Sequence, residues 1–138
     1  MDRSQVAVVI PAFNECETIR AVVRSVEQYG IPIVVDDASS DGTGAEAAAA
    51  GATVVRLESN GGYDKALDAG FAQANGMGMS AVVTLDGDGQ HDPDSIGSFL
   101  SELAGGADLV VGIRPYKARM AEGLFGLVTR ARYGLLDP

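Results

Sequence analysis

At 138 residues, 46% hydrophobic and 21% charged, the chain has the size and composition of one soluble globular domain able to bury a core. With 10 basic against 19 acidic side chains its net charge is −9, which argues against a nucleic-acid backbone as partner. No apolar run nears the roughly 20 residues of a bilayer span, the N-terminus lacks a signal peptide's apolar region, and the lone Cys16 fits a reducing cytosol.

In chain order, Gln5–Ile10 (QVAVVI) is a β-branched run closed by Pro11 and predicts a buried strand. Pro11–Glu15 reads as a loop, with Asn14 as N-cap of a helix over about Glu15–Tyr29. Ile19, Val22, Val23 and Val26 share one face of that helix, and Gly30 stops it. Cys16 is expected there as a small hydrophobe. Ile31–Val35 predicts a second strand ending in Asp36-Asp37, followed by a turn-rich loop, Ala38–Thr43, with several caps. An alanine-rich helix to about Ala50, a strand over Ala52–Leu57 and an Asn60-Gly61-Gly62 turn come next. A third helix is expected over Asp64–Asn75, with Leu67, Gly70, Phe71 and Ala74 facing inward. Ala81–Leu85 predicts the fourth strand, Pro93–Ala104 a helix with Pro93 in its first turn, and Asp108–Gly112 a fifth strand.

Strand and helix alternate without a hairpin signal, so the expected class is α/β, a mostly parallel sheet with helices on both faces. Ligands of such sheets bind at the carboxyl ends of the strands. Two acidic clusters, Asp36-Asp37 and Asp86-Gly87-Asp88, fall at such ends. Their mutual repulsion is costly unless a cation or sugar hydroxyls occupy the space between them. Aspartates on either side of an unhindered glycine can both turn toward one divalent ion, and hard oxygen ligands favour Mg²⁺ or Mn²⁺. The plainer alternative for this stretch is an acidic surface turn.

Five segments together resemble family 2 glycosyltransferases of the GT-A fold: VVIPAFNE (Val8–Glu15), IVVDDASSDGT (Ile33–Thr43), NGGYDKALDAGF (Asn60–Phe71), VVTLDGDGQHDP (Val82–Pro93) and DLVVGIRP (Asp108–Pro115). The likeness is greatest to the polyprenyl-phosphate branch, dolichol-phosphate mannosyltransferase and its undecaprenyl-phosphate relatives. The resemblance implies a single nucleotide-sugar-binding domain over residues 1–138, with a GT-A (Rossmann-like) sheet that is short at its C-terminus. Pro11, Phe13 and Glu15 match the loop that holds base and ribose, Phe13 standing where a tyrosine is more usual. Asp37 matches the aspartate that reads the ribose or base, while Asp36 is expected to be its structural neighbour.

By the same resemblance, Asp88 matches the direct metal ligand, Asp86 lies near ribose, diphosphate and metal, and Gln90 joins the metal site. Arg114 matches an arginine able to neutralise diphosphate or acceptor phosphate. Asp86, Asp88 and Arg114 are thus the catalytic candidates. His91 is expected in a loop or capping role, and Asp64 and Lys65 either begin a solvated helix face or join the site.

The implied reaction is inverting, metal-dependent transfer of a sugar from a UDP- or GDP-linked donor to a polyprenyl phosphate. Such an acceptor is already anionic and needs no dedicated base. Two alternatives stay open: transfer to a sugar hydroxyl in polysaccharide or lipopolysaccharide assembly, and donor binding without turnover. The dinucleotide-binding signature, G-x-G-x-x-G after the first strand, is missing, which sets an oxidoreductase aside.

Charge is uneven: residues 1–112 carry 5 basic and 17 acidic side chains, and residues 113–138 carry 5 and 2. In that basic segment Met120, Leu124, Leu127, Val128, Ala131 and Leu135 recur at helical spacing, broken by Gly123, Gly126 and Gly134. A core-packing helix is the default there. The alternative is a segment facing the acceptor or the cytoplasmic membrane surface, with peripheral association. Family members usually continue beyond this point, so the chain reads as either a truncated or a short form.

Overall fold

A computed structural model of the chain describes residues 2–112. After a single 3₁₀ turn, Arg3–Gln5, the order is β1 (Val6–Ala12), α1 (Ile19–Val26), β2 (Ile31–Asp36), α2 (Thr43–Ala49), β3 (Thr53–Arg56), α3 (Tyr63–Gly76), β4 (Ala81–Thr84) and α4 (Ser95–Ala104). All strand pairs are parallel, in the spatial order β3-β2-β1-β4. The chain steps outward from β1 through β2 to β3, then crosses to the other side of β1 to lay down β4. The strand order therefore reverses at β1.

Alternation along β1 divides the core into two layers. Val6, Val8 and Ile10 pack with Ile19, Val22, Val23 and Val26 of α1, Ala47 of α2 and Ile96 of α4. Ala7 and Val9 face the other way, with Ile33 and Val35 of β2, onto Ala66 and Ala74 of α3. Every residue of β1 is buried, as a strand covered on both faces requires. The expected α/β class, a parallel sheet with helices on both faces, is what forms.

Several local expectations are corrected. β1 does not stop at Pro11 but runs through it to Ala12, with Pro11 opposite Val35. Asn14 is no helix cap: its φ is +53°, and α1 starts only at Ile19, after a turn in which Ile19 N–H donates to Glu15 O at 2.9 Å. Phe71 is 43% exposed rather than inward. The reason lies one residue earlier, where Gly70 brings the α3 backbone down onto the sheet. A Cβ at Gly70 would stand 2.3 Å from Val9 Cγ1 and 3.2 Å from Val35 Cγ2, so the adjacent Phe71 falls to the side of the contact.

The expected strand over Asp108–Gly112 is not formed among the described residues. Leu109 and Val111 are exposed, and Gly112 lies against the Phe99 ring of α4. An apolar run becomes a strand only when a ladder partner takes its backbone groups, and among the described residues β4 pairs with β1 alone. Arg114 and the apolar stripe from Met120 to Leu135 lie outside the described residues.

Gly70 yields a direct test. Gly70→Ala gains helix propensity of about 1 kcal/mol, but it forces overlap with buried, stiff valines, which costs about 1–3 kcal/mol. Urea unfolding is expected to show a net loss of stability. A variant as stable as the parent would mean that α3 rides higher on the sheet than described.

Candidate donor-binding site

Where β1 ends, three successive backbone N–H groups have no strand or helix partner, and the loop after β2 supplies one side chain for each. Asn14 N–H donates to Ser39 Oγ at 3.0 Å, Glu15 N–H to Thr43 Oγ1 at 2.8 Å, and Cys16 N–H to Asp41 Oδ2 at 3.1 Å. Asn14 reciprocates, its Oδ1 accepting from Ser40 N–H at 3.0 Å. Thr43 passes the interaction on, donating its hydroxyl to Asp41 Oδ1. The Ser-Ser-Asp-Gly-Thr run thus captures the neighbouring loop as well as turning its own backbone. Asp41 is held well below the usual carboxylate range, chiefly by the Thr43 hydroxyl and further by Cys16 N–H. Hydrogen bonding to Asp41, with burial, pushes the Cys16 thiol up, away from nucleophilic character.

The two aspartates after β2 diverge. Asp36 is fully buried and paired with Arg56 of β3, and it accepts Ser39 N–H at 2.8 Å. Asp37 turns the other way and accepts Gly61 N–H at 2.6 Å and Gly62 N–H at 2.9 Å, the residues that lead into α3. Protein donors therefore compensate this acidic pair from within, and it does not depend on an external cation. That modifies the expectation that both acidic clusters need one.

A cavity of about 250 Å³ opens beside Asp37, lined by Pro11, Ala12, Phe13, Asn60, Gly62, Tyr63 and Ala66. Of the nucleotide candidates, Pro11, Phe13 and Asp37 meet there. Glu15 does not line it, and its carboxylate lies instead 3.2 Å from Thr18 Oγ1. Sequence reasoning passed over Asn60 and Tyr63. The signal was present, since Asn-Gly-Gly sits at the carboxyl end of a strand and opens a helix.

The Asp86-Gly87-Asp88 loop flanks β1 on the other side. It is docked by Gly87, whose added Cβ would lie 3.2 Å from both Ala12 Cβ and Pro11 O, and whose carbonyl accepts the Thr18 hydroxyl at 2.8 Å. Asp86 is part-exposed, with His91 Nδ1 3.5 Å from its Oδ2. Tyr63 lines the cavity, and burial, then the charge of Asp86, pushes its phenol up. Asp88, half-buried, accepts Gln90 N–H at 2.9 Å in an Asx turn, and Gln90 is exposed.

No three His, Cys, Asp or Glu side chains converge as a metal cluster among the described residues. The donor set nonetheless suits a hard cation. Two carboxylates and an amide oxygen on one loop are hard oxygen donors of the kind Mg²⁺ and Mn²⁺ take, and an ion held there would keep coordination positions for phosphate oxygens.

The family model for "Glycosyl transferase family 2" matches residues 7–128. The chain belongs to that family. It is 35% identical over 138 aligned residues to an uncharacterized glycosyltransferase of Mycobacterium tuberculosis, covering 94% of this chain and 62% of the relative. It is 38% identical to the polyprenol monophosphomannose synthase of Mycolicibacterium smegmatis, covering 78% and 44%. Among solved structures, glucosyl-3-phosphoglycerate synthase from Mycobacterium tuberculosis in complex with UDP superposes with a TM-score of 0.66 at 26% identity, over 98% of this chain and 54% of that one. The same enzyme with Mn²⁺, UDP-glucose and phosphoglyceric acid gives 0.58 at 28%, over 75% and 40%. The chain thus spans less than two thirds of the length of these relatives.

The low Asp41 value sets a pH dependence. Folding keeps Asp41 ionised to lower pH than the unfolded chain does. Its contribution is therefore complete above the unfolded value of about 3.9 and is lost as pH falls through the folded one. Asp41→Ala is expected to flatten the acid limb of a stability–pH profile below about pH 4. An unchanged acid limb would show that the Asp41 contacts do not form in solution.

Proposed function

We propose that this protein is a metal-dependent, inverting glycosyltransferase that moves a sugar from a nucleoside-diphosphate donor to a polyprenyl phosphate. The observation that carries this reading is the cavity bounded by Phe13, Tyr63 and Asp37, set against the Asp86-Gly87-Asp88 loop where the strand order reverses. Phe13 and Tyr63 offer apolar faces to a nucleobase, and Asn60 and Asp37 offer polar groups at its edge. A divalent ion held by Asp88 with Asp86 and Gln90 would neutralise charge developing on the leaving diphosphate. Arg114 is assigned to the same charge, on sequence position.

In the reaction, an acceptor phosphate oxygen attacks the anomeric carbon from the face opposite the diphosphate. The new C–O bond forms as the old one breaks, and the nucleoside diphosphate leaves with the electron pair. The anionic acceptor needs no proton removed. The polyprenol monophosphomannose synthase likeness supports this acceptor class. The likeness to a synthase crystallised with phosphoglyceric acid favours a second reading, in which a hydroxyl is the acceptor and a general base is required. No helix of the described residues is long and apolar enough to cross a membrane; contact with a lipid-linked acceptor at a cytoplasmic membrane face is assigned to the basic segment after residue 112.

Calorimetric titration of UDP and GDP, with and without Mn²⁺, tests the donor site. One nucleotide is expected to bind in the presence of metal, and Asp88→Asn should weaken that binding by roughly tenfold or more. Transfer to undecaprenyl phosphate, with none to 3-phosphoglycerate, separates the two acceptor readings. A folded protein that binds neither nucleotide overturns the proposal.

A further inference from the structure

Arg56 touches none of the cavity, yet the hydrogen bonds that set both of its walls run back to this side chain. Parallel register puts Arg56, the last residue of β3, beside Asp36, the last residue of β2. Its guanidinium holds two acceptors at once: Nη1 donates to Asp36 Oδ2, and Nη2 to the Ser39 carbonyl at 2.8 Å. Asp36 Oδ1 accepts Ser39 N–H, so the turn Asp36–Ser39 is closed from both ends. α2 also packs against the Asp36 carboxylate, leaving no room at Gly44, where a Cβ would lie 2.6 Å from Oδ2. Inside this clamp Ala38 is held at φ +60°, a conformation that an alanine rarely adopts without restraint.

Both walls hang from this turn. Asp37, its second residue, is aimed at Gly61 and Gly62 and so at the cavity. Ser39, its last, holds Asn14 N–H and with it the left-handed turn, φ +53°, that follows Phe13. The Arg56 side chain is itself 57% exposed, so it contributes little as packing.

We propose that Arg56 is a positioning residue for the donor cavity, its planar fork tying Asp36 to the Ser39 carbonyl so that Asp37 and Phe13 are presented together. The proposal rests on the donor-binding reading above. A planar fork can hold both acceptors, whereas a lysine ammonium in its place would neutralise Asp36 without spanning to Ser39 with the same geometry.

Arg56→Met alone leaves a buried carboxylate uncompensated and risks unfolding. The decisive protein is therefore the double variant Asp36→Asn/Arg56→Met, in which the charge problem is gone and the introduced amide keeps an oxygen to accept Ser39 N–H. Two readouts are taken on each variant: amide hydrogen exchange at Asn14, Gly61 and Gly62, and titration with UDP and GDP in Mn²⁺. The double variant is expected to stay folded, with exchange at those three amides faster by about tenfold or more while β1 amides keep their protection. Nucleotide affinity should fall by roughly ten- to a hundredfold, the scale of a lost charge-assisted hydrogen bond. Arg56→Lys should restore both in part.

Parental exchange and affinity in the double variant would overturn the proposal, leaving Arg56 only as the counter-charge of Asp36. Faster exchange with unchanged affinity would equally remove its role in the donor site. If the parent protein binds neither nucleotide, the donor-binding reading fails, while amide exchange still decides whether Arg56 sets the two loops.

Discussion

The structure depends on one local constraint: a central strand cannot end without something to take its backbone N–H groups. β1 is buried along its whole length, and the chain must leave it, turn and enter α1 within a few residues. Three N–H groups in that turn have no ladder partner, and for the two that are part-buried an unmade hydrogen bond costs up to about 1–3 kcal/mol. Ser39, Thr43 and Asp41 take one each. Two loops distant in sequence thereby become one piece of structure, and the residues between them acquire fixed directions. Asn14 and Ala38 both sit at positive φ, which an asparagine tolerates and which costs an alanine about 1–3 kcal/mol, and hydrogen bonds on either side hold them there.

The second organising feature is the reversal of strand order at β1. β2 and its loop lie on one side of the β1 terminus and β4 and its loop on the other, so whatever follows these strands must converge. Close approach is then settled by side chains too small to obstruct it. Gly87 lets the acidic loop rest on Pro11 and Ala12, and Gly70 lets α3 lie directly on Val9 and Val35. With α3 so close, its first residue, Tyr63, lines the cavity together with Ala66 of the next turn.

The four aspartates at the strand ends play unequal parts. Asp36 is consumed by Arg56 and Ser39, and Asp37 by two backbone N–H groups, so the first pair builds the wall of the site. Asp86 and Asp88 stay part-exposed, with His91 near one and a backbone N–H on the other. Equal formal charge thus separates into a pair held by protein donors and a pair left part-exposed. The distinction follows from depth and from the local supply of donors.

Much of this was legible in the sequence. Apolar runs of β-branched residues marked the four strands, helical spacing of Ile19, Val22, Val23 and Val26 marked the buried face of α1, and their alternation implied a parallel sheet with ligands at its carboxyl ends. Those are properties of neighbours along the chain, where side-chain period and backbone preference act directly. The motifs identified the family, and with it the candidate residues. Only the tertiary structure decided that Asn14 turns into αL to meet Ser40 instead of capping a helix, and that Phe71 lies outside the contact made by Gly70. It alone joined Pro11, Phe13 and Asp37 to Asn60 and Tyr63 in one cavity, and put Asp36 in the hands of Arg56. It also left Asp108–Gly112 without a ladder among the described residues. Each of these outcomes depends on which groups from remote segments arrive to share a hydrogen bond or fill a volume, and no local pattern carries that information.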